Sequence, residues 1–125
     1  MFTYLYVAIG GSLGAVSRYL LSNWVNNKAQ SIFPFGTFSV NMIGSFIIGV
    51  FYIVSMERLV SPELKLIISV GFLGAFTTFS TFSLETLNLM RENHILTAFI
   101  NIGLSIIIGL IAAWLGIIIG KLLVN

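Results

Sequence analysis

The chain has 125 residues, of which 58% are apolar and only 8% charged, six basic against four acidic, with no cysteine. Soluble domains carry about a quarter charged residues, and a mean hydropathy of +1.05 leaves too little polar surface to clothe a water-soluble globule of this size. These figures argue against a soluble enzyme, a disulfide scaffold, a thiolate metal site and a cysteine nucleophile, and the scattered basic residues give nucleic acid no stripe to bind.

The bilayer is the expected solvent, in which a spanning helix needs about 20 mostly apolar residues. In chain order, residues 3–21, 36–56, 62–90 and 95–123 meet that need and consume nearly all of 1–125, so the chain reads as a single all-α, four-helix transmembrane domain. The first stretch has no carboxylate, and Arg18 follows its apolar run instead of preceding it. That is not the order of a signal peptide, so the stretch is taken as a helix of the mature protein. The second stretch follows Pro34 and is uncharged. The third opens on Ser61-Pro62-Glu63, an N-cap, an N1 proline and a first-turn acid,. It carries Lys65 near its mouth and Glu85 deep in its second half. The fourth has Lys121 as its only charge, and His94, alone in the short loop before it, is read as a solvated side chain and not as a metal ligand.

An even number of spans puts Arg58, Lys65 and Lys121 on one side and Arg18, Lys28 and Arg91 on the other. Orientation follows an asymmetry of Lys and Arg across the membrane, and here there is none. The balance allows insertion in both orientations followed by pairing of antiparallel copies; chance in so small a set explains it too. Four short helices enclose little of a pathway, so an oligomer is expected.

Three of the stretches carry small or polar residues at helical spacing: Gly11, Gly14, Ala15, Arg18 and Ser22; Thr37, Asn41, Gly44 and Ser45; and Asn101, Ser105, Gly109, Ala113, Gly116 and Gly120. Residues at i, i+3 and i+4 share a face, and such faces turn from lipid toward another helix. Close helix packing accounts for the glycines. Asn41 and Asn101 ask for more, because an amide buried in hydrocarbon is costly unless its donors and acceptor are satisfied, and either a partner helix or a polar pathway would satisfy them.

In the third stretch, Gly71 to Ser83 places two glycines and a run of threonine, serine and phenylalanine at mid-membrane depth. A broken helix there would free carbonyls for a cation and a half-helix N-terminus for an anion. The residues alone slightly favour the other reading, an unbroken helix whose hydroxyls bond back to its own carbonyls. Beyond this run Phe79 and Phe82 face one way, with Thr86 on the same face and Glu85 on its flank. Ring edges are positive and can face an anion, although phenylalanines also simply pack. An intramembrane carboxylate is a functional hypothesis by default, and for Glu85 a proton or cation site, an acceptor for a neighbouring hydroxyl and a shallow interfacial position are all open.

The segments GGSLGAVSRY, PFGTFSVNMIGSFIIG and GFLGAFTTFSTFS, in three of the four spans and in this order, resemble the Fluc (CrcB-like) family of small fluoride channels. The TTFSTF run is the most specific of them. The resemblance implies an antiparallel, dual-topology homodimer in the cell (inner) membrane, with the third helix broken at mid-membrane. It further implies two fluoride pathways per dimer and passive, selective export of fluoride as protection against its toxicity. It likens Asn41 to a pore-lining asparagine, and Phe79 and Phe82 to an aromatic pair that contacts the ion. Thr37, Glu85 and Ser105 fall on a polar track, Arg18 lies near an aqueous vestibule, and the backbone carbonyls of Gly74 and Thr77 hold a central structural sodium ion (Na+). The fourth span departs at Asn101 and Gly109, where other members often have hydroxyl residues. A small dual-topology drug/proton antiporter is the nearest rival, but such proteins depend on a first-helix carboxylate that is absent here. A non-transporting packing subunit would explain the glycines and leave Asn41 and TTFSTF without a reason. No catalytic cluster supports an enzyme.

Overall fold

The computed structural model describes residues 2–125, and these are helical over nearly their whole length, without strands. Helix α1 is Thr3–Ala29, α2 is Phe35–Glu57 and α6, the last, is Ile95–Val124. Between α2 and α6 the third stretch is assembled from pieces: α3 (Pro62–Lys65), a wide-turned π-helical segment (Leu66–Leu73), α4 (Gly74–Phe76) and α5 (Phe79–Arg91). The entrance at Ser61 is built as its sequence suggests, with the serine hydroxyl accepting from the Leu64 amide at 3.2 Å.

Three helical stretches, Phe35–Glu57, Pro62–Arg91 and Ile95–Val124, are long and apolar enough to cross a membrane. The first stretch was expected to be a fourth span. At 27 residues α1 has the length, but Gly10, Gly11, Ser12, Gly14, Ser17 and Arg18 dilute its apolar run. It also continues past the expected end at residue 21, to Ala29. Hydropathy reports where the apolar run stops, whereas the backbone ladder continues until a residue leaves the helical region. Here that residue is Gln30, at φ 45° and ψ 50°.

The most extensive packing is α2 on α6, followed by α1 on the π-helical segment. Both contacts bring backbone against backbone. A Cβ at Gly116 would run into the Phe46 carbonyl of α2, and one at Gly14 into the Phe72 carbonyl; glycine is required at both by close approach. The interior is small, with Val40, Leu73, Phe76, Leu89 and Ala98 as its buried apolar residues and Thr37, Thr86 and Asn101 as its buried polar ones. Large apolar side chains such as Leu110 and Trp114 face outward. This distribution fits a chain whose solvent is lipid, where apolar surface need not be hidden.

The third stretch is not continuous, which corrects the unbroken helix that its residues slightly favoured alone. Thr77 turns to ψ 155° and Thr78 to φ −149°, both extended, before α5 begins. The physical reason lies on another helix: the Asn41 side chain of α2 accepts from the Thr78 amide, which the ladder leaves unpaired at this point, and adds a donor to the Thr78 carbonyl.

Candidate functional site: a polar track beside the helix break

Asn41 holds the break from both sides. Its Nδ2 donates to the Thr78 carbonyl at 3.0 Å and its Oδ1 accepts from the Thr78 amide at 2.8 Å. Thr78 then serves as N-cap of α5, its hydroxyl accepting from the Thr81 amide at 3.2 Å,. One Asn41 amide hydrogen remains free of these bonds. On the other side of the break the last carbonyls of α4 have no next helical turn to bond them. The Thr77 hydroxyl donates back to the Leu73 carbonyl at 3.0 Å.

A cavity of about 440 Å³ lies alongside, and Asn41, Phe79, Phe82, Ser105, Gly74 and Thr77 all line it. The structure therefore brings these six residues, drawn from four elements, to one place. The Phe79 and Phe82 rings stand 5.6 Å apart, centre to centre, at an interplanar angle of 43°. Phe79 is 79% exposed on the single chain, and Gly74 is exposed as well, so the cavity opens on the surface of the protomer. Its lining includes no charged side chain.

Thr37 and Glu85 are joined to each other but not to that cavity. The Thr37 hydroxyl donates to Glu85 Oε1. Thr37 is buried, and Glu85 lines a second space of about 460 Å³ near the ends of α1 and α5, with Asn26, Asn88 and Glu92 around it. Thr37 lies one helical turn before Asn41, about 6 Å along α2, so the pair sits between the outer space and the inner cavity. Arg18 is brought to neither space; its Nε is buried without a hydrogen-bond partner among the described residues.

The chain matches the family model described as "CrcB-like protein, Camphor Resistance (CrcB)" over residues 5–117. It belongs to the CrcB family. It is 50% identical over 119 residues to the fluoride-specific ion channel FluC of Magnetococcus marinus, covering 94% of this chain and 97% of that one. With the protein of the same name from Geotalea uraniireducens it shares 47% over 124 residues, 98% of this chain and 100% of the relative. With that of Shewanella loihica it shares 52% over 112 residues, 90% of each. These relatives are thus matched over nine-tenths or more of their length and not through one segment.

Some residues of this CrcB site were not singled out from sequence. Thr78 is one, although a threonine immediately before the helical run that opens at Phe79 is a readable N-cap signal,. Asn26 is another: its Oδ1 accepts from the Gly36 amide at 2.8 Å and satisfies an orphan donor in the first turn of α2,. Nothing in the local sequence around Asn26 announces that bond.

Proposed function

We propose that this protein is a fluoride-selective channel that lets fluoride leave the cell passively across the inner membrane, as a multi-pass protein with α1 as the fourth span. The observation that carries the reading is its near-full-length identity of about half with fluoride-specific ion channels. The geometry is consistent with it. Fluoride is small and strongly hydrated, so a path must offer donors in place of water without binding so tightly that the ion cannot leave. The free Asn41 amide hydrogen, the Ser105 hydroxyl and the edges of Phe79 and Phe82 are such donors,. A Lys or Arg there would hold the anion, and none lines the cavity. Thr37 and Glu85 form the step toward the outer space, and Arg18, midway along α1, lies near an aqueous vestibule.

The working unit is an antiparallel, dual-topology homodimer. The exposure of Phe79 and Gly74 supports a second copy closing the cavity, and the even split of Lys and Arg supports opposite orientations,. The Gly74 and Thr77 carbonyls suit a structural sodium ion: they are hard oxygen donors at a helix end, with no carboxylate beside them in the cavity,. Two chains would supply four oxygens. When bound, the ion would balance the negative ends of these carbonyl dipoles.

Purified protein in liposomes loaded with fluoride tests the function, with chloride as control. Fluoride efflux without chloride efflux is expected. Release of neither ion, from vesicles shown to contain the protein, would remove the channel reading.

A further inference from the structure

The amide of Asn101 is the most deeply buried polar side chain of the fold, at 1% exposure, and its two ends do different work. Nδ2 donates to Thr86 Oγ1 at 2.9 Å, and Thr86, itself 5% exposed, donates its hydroxyl hydrogen to the Phe82 carbonyl at 2.7 Å. Oδ1 accepts from the Ser105 hydroxyl at 3.3 Å. A single chain of bonds thus runs from Ser105 through Asn101 and Thr86 to the backbone of Phe82, and both of its ends line the inner cavity.

The Ser105 bond differs from those of other helical serines in this protein. Ser12 and Ser22 bond back to carbonyls one turn earlier at 2.6 Å, and Ser83 does so at 2.9 Å. Ser105 has the Asn101 carbonyl in the same relative position, but it bonds the side-chain oxygen instead, over a longer distance. A hydrogen resting on a long, neutral contact is cheaper to redirect than one held by a short bond to a helix carbonyl.

We propose that Asn101 is a positioning residue of the ion path: it holds Phe82 in place through Thr86 and keeps the Ser105 hydrogen on a weak acceptor from which an anion in the cavity can take it. This rests on the reading of the cavity as a fluoride path. With Asn101 replaced by leucine, the Ser105 hydroxyl is left with its own helix carbonyl as acceptor. Thr86 keeps its bond to the Phe82 carbonyl but loses the side-chain bond to α6, so the turn of α5 that carries Phe82 is no longer tied to that helix.

The test uses the full chain in liposomes, with fluoride efflux measured over a series of fluoride concentrations for wild type, Asn101→Leu, Thr86→Val, Thr86→Ser and the Asn101→Leu/Thr86→Val double variant. Asn101→Leu and Thr86→Val should each raise the half-saturating fluoride concentration about two- to tenfold, the range one neutral hydrogen bond sets. Thr86→Ser, which keeps the hydroxyl, should stay near wild type. The double variant should shift no further than the worse single one, because both cut the same chain. Loss of maximal rate with an unchanged half-saturating concentration would mean that Asn101 only packs, and would overturn the proposal. So would equal behaviour of Thr86→Val and Thr86→Ser, a comparison that decides the matter even if Asn101→Leu does not assemble. An absence of flux in wild type is a different failure, which overturns the channel reading and this proposal with it.

Discussion

Asn41 commits one donor and its acceptor to the Thr78 backbone and keeps one donor free, so its replacement has two separable consequences. Asn41→Asp places a carboxylate oxygen against the Thr78 carbonyl where an N–H stood, and offers a negative charge to an anion. Fluoride flux should disappear, and thermal unfolding should show a loss of about 1–3 kcal/mol for the unpaired groups. Unchanged flux would take Asn41 out of the path. The aromatic pair is separable from the fold in another way. Phe79 is exposed on the protomer and packs little within it, so Phe79→Ile removes the positive ring edge while keeping apolar bulk. Flux should fall by about tenfold, toward the upper end of what an aromatic contact supplies, with assembly by size-exclusion chromatography unaltered. Phe82→Ile should act likewise. Normal flux in both would mean that the rings only pack.

Among the elements, the two backbone-close contacts carry the fold. Gly116→Val forces a side chain into the Phe46 carbonyl and should separate α2 from α6. A loss of about 1–3 kcal/mol is expected in denaturation, with most of the protein aggregating on purification. Gly103 is the control, since a Cβ there meets nothing within 4 Å; Gly103→Ala should be neutral or stabilise by about 1 kcal/mol from helix propensity. Equal damage from both would deny the close packing its role. The helical stretches were legible in the sequence because apolar length is a local property, and the capped entrance at Ser61 was legible for the same reason. The tail of α1 was not, since most of residues 22–29 are polar, yet none is a breaker that ends the helix. Nor did the residues themselves decide for the break at Thr77-Thr78. Hydroxyl residues at that depth bond back to their own helix as readily as they leave it, and the side chain that tips the balance lies 37 positions earlier in the chain. The resemblance carried by TTFSTF implied a break that composition and spacing left open. It also named Asn41, Phe79, Phe82 and Ser105, which the structure gathers around one cavity.

At the scale of the whole molecule, the even charge balance bears on assembly. Lysines added to the loop between α2 and α3 should bias insertion toward one orientation, and activity should fall until an oppositely biased copy is co-expressed. Recovery is read as cellular resistance to fluoride, and full resistance from one biased copy alone would contradict the antiparallel dimer. The sodium ion is tested by dialysis against lithium, potassium or a bulky organic cation. Activity or dimer stability should drop and return with sodium, following linkage to ligand concentration, whereas indifference to the cation after long incubation would argue that water satisfies the carbonyls of the break. The permeability of the protein to fluoride is decisive. In liposomes containing only this purified protein, fluoride should leave rapidly down its gradient and chloride should stay behind. Equal release of both anions, or retention of fluoride by vesicles that carry assembled protein, would contradict it.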